Sequence, residues 1–239
     1  MIELKKISIL NQEVKKQLAN IIQNKSFANS YIFYGVEGIG KKLTALKFIK
    51  EIFKQYSSDS NIDERIKNKN HPDFLVIQPS SLLEEKSSKD SESDRKKKIG
   101  TEIIKIGQIR DLKTFLSKKS IFSKKKIVLI NDAHLLNEAA SNCLLKTLEE
   151  PNNCIFILLT SKLNLLLDTI ISRSQILRFR SLSGEQIEFI LEDYLKSSNS
   201  RIFNKLNFQD LINSTNGSPK KLIKNIEIWS QLSDEITSK

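Results

Sequence analysis

Cysteine is nearly missing from this chain: its 239 residues hold two, Cys143 and Cys154. Two thiols in apolar surroundings make neither a disulfide framework nor a zinc site, and they read as small buried hydrophobes. Long apolar runs are missing too. The longest, such as IFILLT at residues 155–160, fall far short of the roughly 20 residues that cross a bilayer, so no membrane partner is expected. The N-terminal MIELKKISIL has no apolar stretch and no small-residue cleavage site, so no signal peptide is expected and a cytoplasmic location follows. Glycine (seven residues) and proline (four) are scarce beside plentiful Ile, Lys, Asn and Ser. That bias resembles AT-rich coding, which spreads lysine over every surface. The net charge of +11 therefore has two readings, phosphate neutralisation on a nucleic acid or a solvated lysine coat, and does not choose between them.

What is present is ordinary globular material, with 39% apolar and 28% charged residues in a chain long enough to bury a core. Val14, Leu18 and Ile21/Ile22 recur at helical spacing over residues 12–24. YIFY at 31–34 is a short buried-strand run, followed by GVEGIGKK and an amphipathic stretch carrying Leu43, Leu46, Phe48/Ile49 and Phe53. Residues 56–70 read as a loop or frayed helix, and a second strand spans 74–77 after His71, a loop-capping residue. Residues 80–98 are charged and low in complexity, the pattern of an exposed, mobile insertion. A helix over 106–117, a strand over 126–131, a helix over 138–149 and a strand over 155–160 follow. Alternating helices and continuous apolar strands argue an α/β fold with a parallel sheet covered on both faces, over residues 1–180. From 181 to 239 only helical patterns occur, at 185–195, 208–214 and 219–232, which predicts a small helical second domain.

Because glycine is scarce, its clustering is informative. Gly35, Gly38 and Gly40 fall within six residues and are followed by Lys41, satisfying G-x-x-x-x-G-K between a strand and a helix. Glycines let successive N–H groups point inward, the helix N-terminus adds partial positive charge, and Lys41 can reach nucleotide phosphates. The next residue of such a P-loop is Ser or Thr, whose hydroxyl binds Mg²⁺. Here it is Lys42, a cation that repels a metal; Thr44 cannot replace it, because two helical steps turn a side chain roughly 200° away. A second departure agrees. In KIVLINDAH the strand that should end in a metal-holding acid ends in the neutral Asn131, with Asp132 next. Efficient hydrolysis by this chain is not expected, no bound metal is expected, and ATP or ADP would bind weakly through the loop and Lys41. His134 reads as a structural histidine.

Residues 127–180, IVLINDAHLLNEAASNCLLKTLEEPNNCIFILLTSKLNLLLDTIISRSQILRFR, resemble the clamp-loader branch of the AAA+ proteins. Upstream, SYIFYGVEGIGK, HPDFLVIQP and IGQIRDLKTFLS match it in order, so the resemblance covers roughly residues 10–230. It points to the bacterial DNA polymerase III subunits, and to the delta-prime group rather than tau/gamma because of the damaged ATP site and the HPDFLVIQP segment. The resemblance implies a P-loop AAA+ sheet domain with a helical lid. It implies a non-motor subunit that helps load the sliding clamp on primed DNA with tau/gamma and delta subunits. Arg173, in ISRS, stands where the family's S-R-C arginine reaches into a neighbour's ATP site, and a planar guanidinium suits that role. Thr160 and Ser161 match the sensor 1 region, for which strand capping is the rival reading. Lys220 stands at the sensor 2 arginine's position. The family's zinc cysteines have no counterpart in residues 55–70, so no zinc is expected. Lys113, Lys118 and Lys119 are candidates for DNA contact. Little sequence follows the lid, so the family's C-terminal collar is expected to be absent or reduced and ring association weaker. Two other functions stay open: an ATP-hydrolysing tau/gamma-like motor, and a P-loop nucleotide-binding protein unconnected with replication.

Overall fold

The computed structural model describes residues 11–56, 61–81, 102–150, 153–189, 214–215, 217–222, 224–225 and 228. In chain order the elements are α1 (Gln12–Gln23), β1 (Ser30–Tyr34), α2 (Lys41–Tyr56), α3 (Ile62–Lys67), β2 (Phe74–Ile77), β3 (Ser80–Ser81) and β4 (Glu102–Ile103). They continue with α4 (Ile106–Ser117), β5 (Lys126–Ile130), α5 (Glu138–Glu149), β6 (Cys154–Thr160), α6 (Asp168–Ser172) and β7 (Gln175–Arg178). By packing, the chain divides into two compact units. One comprises Leu18–Tyr34 and Lys42–Leu177; the other comprises Met1–Gln17, Gly35–Lys41 and Arg178–Lys239.

The first unit holds a five-stranded sheet in the order β2-β5-β6-β1-β7. The β2–β5, β5–β6 and β6–β1 pairs are all parallel, with Ile130 opposite Leu158 and Tyr34 opposite Thr160. Every residue of β5 and β6 is buried, as continuous apolar strands covered on both faces require. Alternation divides β1 between the two faces. Ile32 joins Val128, Ile130, Phe156 and Leu158 in a core shared with Ile109 and Leu112 of α4, Leu144 of α5 and Ile170 of α6. Tyr31 and Phe33 face α2 instead: the Tyr31 and Phe48 rings meet edge to face at 5.4 Å, and Phe33 lies 6.4 Å from Phe48. Burying a side chain such as Phe48 contributes about 1.5–3 kcal/mol.

Two buried polar side chains tie loops to this sheet. Asp73 is fully buried, and its carboxylate accepts the N–H groups of Ile121 (2.9 Å), Phe122 (2.8 Å) and Ser123 (2.9 Å). Lys126, the first residue of β5, donates from Nζ to the carbonyls of Phe115 (2.5 Å), Leu116 (3.3 Å) and Lys118. A cation at the C-terminal carbonyls of α4 complements the helix dipole, while burial pulls the Lys126 pKa below the ordinary lysine value. His71 does cap its loop, accepting the Asp73 N–H at Nδ1 (3.1 Å), and its ring also stacks on Phe53 at 4.2 Å.

Of the two readings of residues 56–70, loop or frayed helix, residues 62–67 take the helical one, with Ile62 and Ile66, one turn apart, both buried. The structure departs from expectation in three places. Ser80 and Ser81, read as the start of an insertion, pair antiparallel with Ile103 and Glu102. Residues 82–98 lie outside the described residues. The edge strand β7 buries only Leu177, too little apolar pattern to show in sequence. Cys154 is buried as expected, but Cys143 is only half-buried. Of the three C-terminal helical patterns, helix is described at 184–189, 214–215, 219–222, 224–225 and 228, and the remainder lies outside the described residues. Among the described residues no helix is long and apolar enough to cross a membrane.

Candidate functional site

The glycine-rich loop leaves β1 at Tyr34 and enters α2 at Lys41. Gly38 (φ 78°) and Gly40 (φ 97°) occupy the left-handed region that only glycine enters at little cost. Lys41 is buried, and its Nζ donates to the carbonyls of Gly35 (2.6 Å) and Val36 (2.9 Å), so the lysine braces the loop's own backbone. A Cβ on Gly35 would lie 2.5 Å from the Phe179 carbonyl oxygen. One on Gly38 would lie 2.5 Å from both Lys220 Cβ and Ser218 Oγ. Lys220 Nζ stands 3.8 Å from a Glu37 carboxylate oxygen, both side chains well exposed, a pairing that solvent screens heavily. The structure thus gathers Gly35, Gly38, Gly40, Lys41 and Lys220. Sequence reasoning missed Phe179 and Ser218, although Ser218-Pro219 is a recognisable helix start: Ser218 Oγ accepts the Lys221 N–H at 3.3 Å.

At the C-terminal ends of β5 and β6 lie the other sequence-predicted residues. Asn131 is buried; its N–H bonds to the Ile77 carbonyl (2.9 Å), while its Oδ1 finds no hydrogen-bond donor among the described residues. Asp132 is exposed and left-handed (φ 48°, ψ 50°). Thr160 is fully buried and its hydroxyl serves its own neighbourhood. It accepts the Lys162 N–H (3.1 Å) and lies 3.1 Å from the Lys162 carbonyl and 3.3 Å from His134 Nδ1. Lys42 is exposed at the second residue of α2. Magnesium coordination needs oxygen ligands, above all carboxylates and hydroxyls. An ammonium at 42 has no lone pair, and an amide at 131 carries no charge. These two positions do not fit a magnesium ion.

Arg173 follows the last residue of α6. Its Nη2 pairs with Glu149 Oε1 at 2.8 Å and its Nη1 donates to the Thr169 carbonyl at 3.1 Å, with 42% of the side chain still exposed. Ser174 anchors the same corner. It donates to the Ile170 carbonyl (2.8 Å) and lies 2.8 Å from the hydroxyl of the buried Ser30. A hydroxyl has one hydrogen, and Ser174 spends it on Ile170, so Ser30 is the donor between them. Glu149, Thr169 and Ser30 were not singled out from sequence. Glu149 had a signal, because a carboxylate in the last turn of a helix opposes the helix dipole and calls for a cationic partner.

A parallel sheet with a P-loop after its β1 strand and helices on both faces is the AAA+ P-loop fold. Thermotoga maritima RuvB, described as a Holliday junction branch migration motor, shares that fold: TM-score 0.54 at 15% identity, covering 96% of this chain and 64% of that one. The family model described as DNA polymerase III, delta subunit, matches residues 10–183. The chain belongs to this family, within the DNA polymerase III clamp-loader proteins, and is delta-prime-like. It is 34% identical over 194 residues to Bacillus subtilis DNA polymerase III subunit delta', covering 78% of this chain and 53% of that protein. It is 31% identical over 182 residues to the tau subunit of the same organism, covering 75% of this chain and 30% of that one. The chain therefore spans about half the length of the first of these relatives and under a third of the second.

Proposed function

We propose that this chain is a non-motor subunit of a clamp loader of DNA polymerase III, and that its chemical contribution is Arg173, lent to the ATP site of an adjacent ATPase subunit. The observation that carries the reading is the state of the Arg173 fork. One of its five N–H groups is bonded within the chain, to the Thr169 carbonyl, and its Nη2 is ion-paired with Glu149, while 42% of the side chain stays exposed to a partner's phosphate oxygens. Lys42 and Asn131 support the same reading from the other side, because neither can supply the anionic oxygen a magnesium ion requires.

On this reading the chain keeps remnants of nucleotide-binding motifs at Gly35, Gly38, Gly40, Lys41, Lys42, Asp132, Thr160 and Lys220. It requires no cofactor, binds ATP or ADP weakly at most, and holds no zinc. The partners are the tau/gamma and delta subunits, the sliding clamp and, through the complex, primed DNA, in the cytoplasm and away from membranes. Resemblance to a tau subunit favours the motor reading as the alternative, and turnover separates the two. The purified chain with Mg²⁺ and ATP is expected to show no hydrolysis above background. In the reconstituted loader, Arg173→Ala is expected to leave assembly intact and to lower ATP turnover by at least tenfold, arginine fingers contributing about 10³–10⁵ elsewhere. Brisk turnover by the isolated chain, or an unaffected loader carrying Arg173→Ala, would overturn the proposal.

A further inference from the structure

The last turn of α5 holds a residue that local physics disfavours. Glu149 ends the helix, where unpaired carbonyls already concentrate negative charge, and Glu150 follows it. Nothing in helix propensity asks for a carboxylate there. Among the described residues its one ion pair is with Arg173, at 2.8 Å, although 24 residues separate them in the chain.

The geometry around that pair is that of a held side chain. The Arg173 backbone is the C-cap of α6 (φ −95°, ψ 4°), and the next residue is locked by hydroxyl bonds to Ile170 and Ser30. The base of the side chain is thereby fixed. Its tip is held at two different nitrogens, by the ion pair of Nη2 with Glu149 Oε1 and by the hydrogen bond from Nη1 to the Thr169 carbonyl. Contacts at two nitrogens restrict how a guanidinium can turn as well as where it sits. An exposed arginine otherwise samples many rotamers, and ordering one on encounter has an entropic cost. As an energy of folding, a half-exposed pair of this kind contributes little. What it supplies is orientation.

We infer that Glu149 is a positioning residue for Arg173: its carboxylate holds the guanidinium plane so that the N–H edge left free faces outward before any neighbour arrives. This rests on the reading of Arg173 as a group acting in trans. Glu149 touches no substrate on this account and works only through Arg173. Its removal therefore acts on turnover, where the arginine's charge stabilises the transition state, more than on the KM for ATP.

The test is a double-mutant cycle in the loader reconstituted with its tau/gamma and delta subunits, measuring kcat and KM for ATP with Glu149→Ala, Glu149→Gln, Arg173→Ala and Glu149→Ala/Arg173→Ala. Glu149→Ala is expected to lower kcat by roughly tenfold, within the ~10² that a misplaced group can cost, with KM unchanged. Glu149→Gln keeps an oxygen acceptor and is expected to recover most of the loss. The double variant is expected to match Arg173→Ala alone, since a positioning residue has nothing left to position. If Arg173→Ala cripples the loader while Glu149→Ala equals the unmodified protein, or if the two losses multiply, the inference fails and the reading of Arg173 stands. If Arg173→Ala has no effect, the reading itself fails. Thermal unfolding of each variant chain identifies a folding defect, and a Glu149→Ala loss accompanied by a lowered midpoint that Glu149→Gln does not restore also counts against the inference.

Discussion

The hydroxyls of Ser30 and Ser174 meet at 2.8 Å, joining the first residue of β1 to the residue after Arg173 across 144 positions of sequence. Ser30 is buried and Ser174 is its acceptor, so the corner that carries Arg173 is pinned to the sheet. Ser174→Ala is expected to leave a buried hydroxyl without an acceptor and to destabilise the chain by about 1–2 kcal/mol, read from urea unfolding. Ser30→Ala on top of it is expected to cost less than it does alone, because the orphaned group is then gone. Strict additivity would show that the contact contributes nothing.

Asp73 organises the turn before β5 by accepting three backbone N–H groups while fully buried. Asp73→Ala removes the acceptor and leaves those donors facing the interior, a loss expected near 3 kcal/mol. Asp73→Asn keeps one carbonyl oxygen and is expected to recover part of it. Equal unfolding midpoints for Asp73→Ala and the unmodified chain would contradict this account of the turn.

Gly38→Ala separates packing from phosphate chemistry. The new methyl would sit 2.5 Å from Lys220 Cβ and Ser218 Oγ at a φ of 78°, combining a clash with the roughly 1–2 kcal/mol that a left-handed conformation costs an L-residue. The variant is expected to be less stable by about 2 kcal/mol or more, with no nucleotide in the solution. A variant as stable as its parent would leave the loop's glycines with a ligand role alone.

Cys154 gives a pH dependence of defined sign. Burial pushes its thiol up from 9.0 to about 12. Between those values the folded chain keeps a proton that the unfolded chain releases, so the thiol's contribution to stability is whole below pH 9 and is lost as the pH rises toward 12. Cys154→Val is expected to flatten that part of the alkaline stability profile. At neutral pH a thiol reagent is expected to label the half-buried Cys143 readily and Cys154 only on unfolding, a pattern that mass spectrometry of the modified chain reads directly.

The sheet was legible because period and burial are local in sequence. β2, β5 and β6 announce themselves as apolar runs, and YIFY is bounded at once by the glycines that end it. The helices α4 and α5 follow from apolar spacing alone. α3 could be read only as a loop or a frayed helix because two buried isoleucines sit among polar neighbours, and β7 escaped because an edge strand with one buried residue has no period to detect. Of the candidate site, Gly35 through Lys42, Asn131 and Asp132 were readable from motif context, whereas Thr160, Arg173 and Lys220 came only from the resemblance to the clamp-loader family. Their partners were not readable. Phe179 against Gly35, Ser218 against Gly38 and Glu149 on Arg173 are meetings of distant segments, and no spacing rule encodes them.

By itself, then, the order of residues determined which chemical groups this protein owns: a lysine-ended glycine loop, an amide and an ammonium at the positions that would hold magnesium, and a guanidinium after α6. Side-chain identity is a property of sequence and needs no fold to establish. Only the tertiary structure decided what those groups do with their bonds: Lys41 turned onto its own loop, the Thr160 hydroxyl committed to Lys162 and His134, and Arg173 gripped by Glu149. A hydrogen bond depends on ångström-scale distance and direction, and chain folding sets those by bringing together residues that sequence keeps far apart.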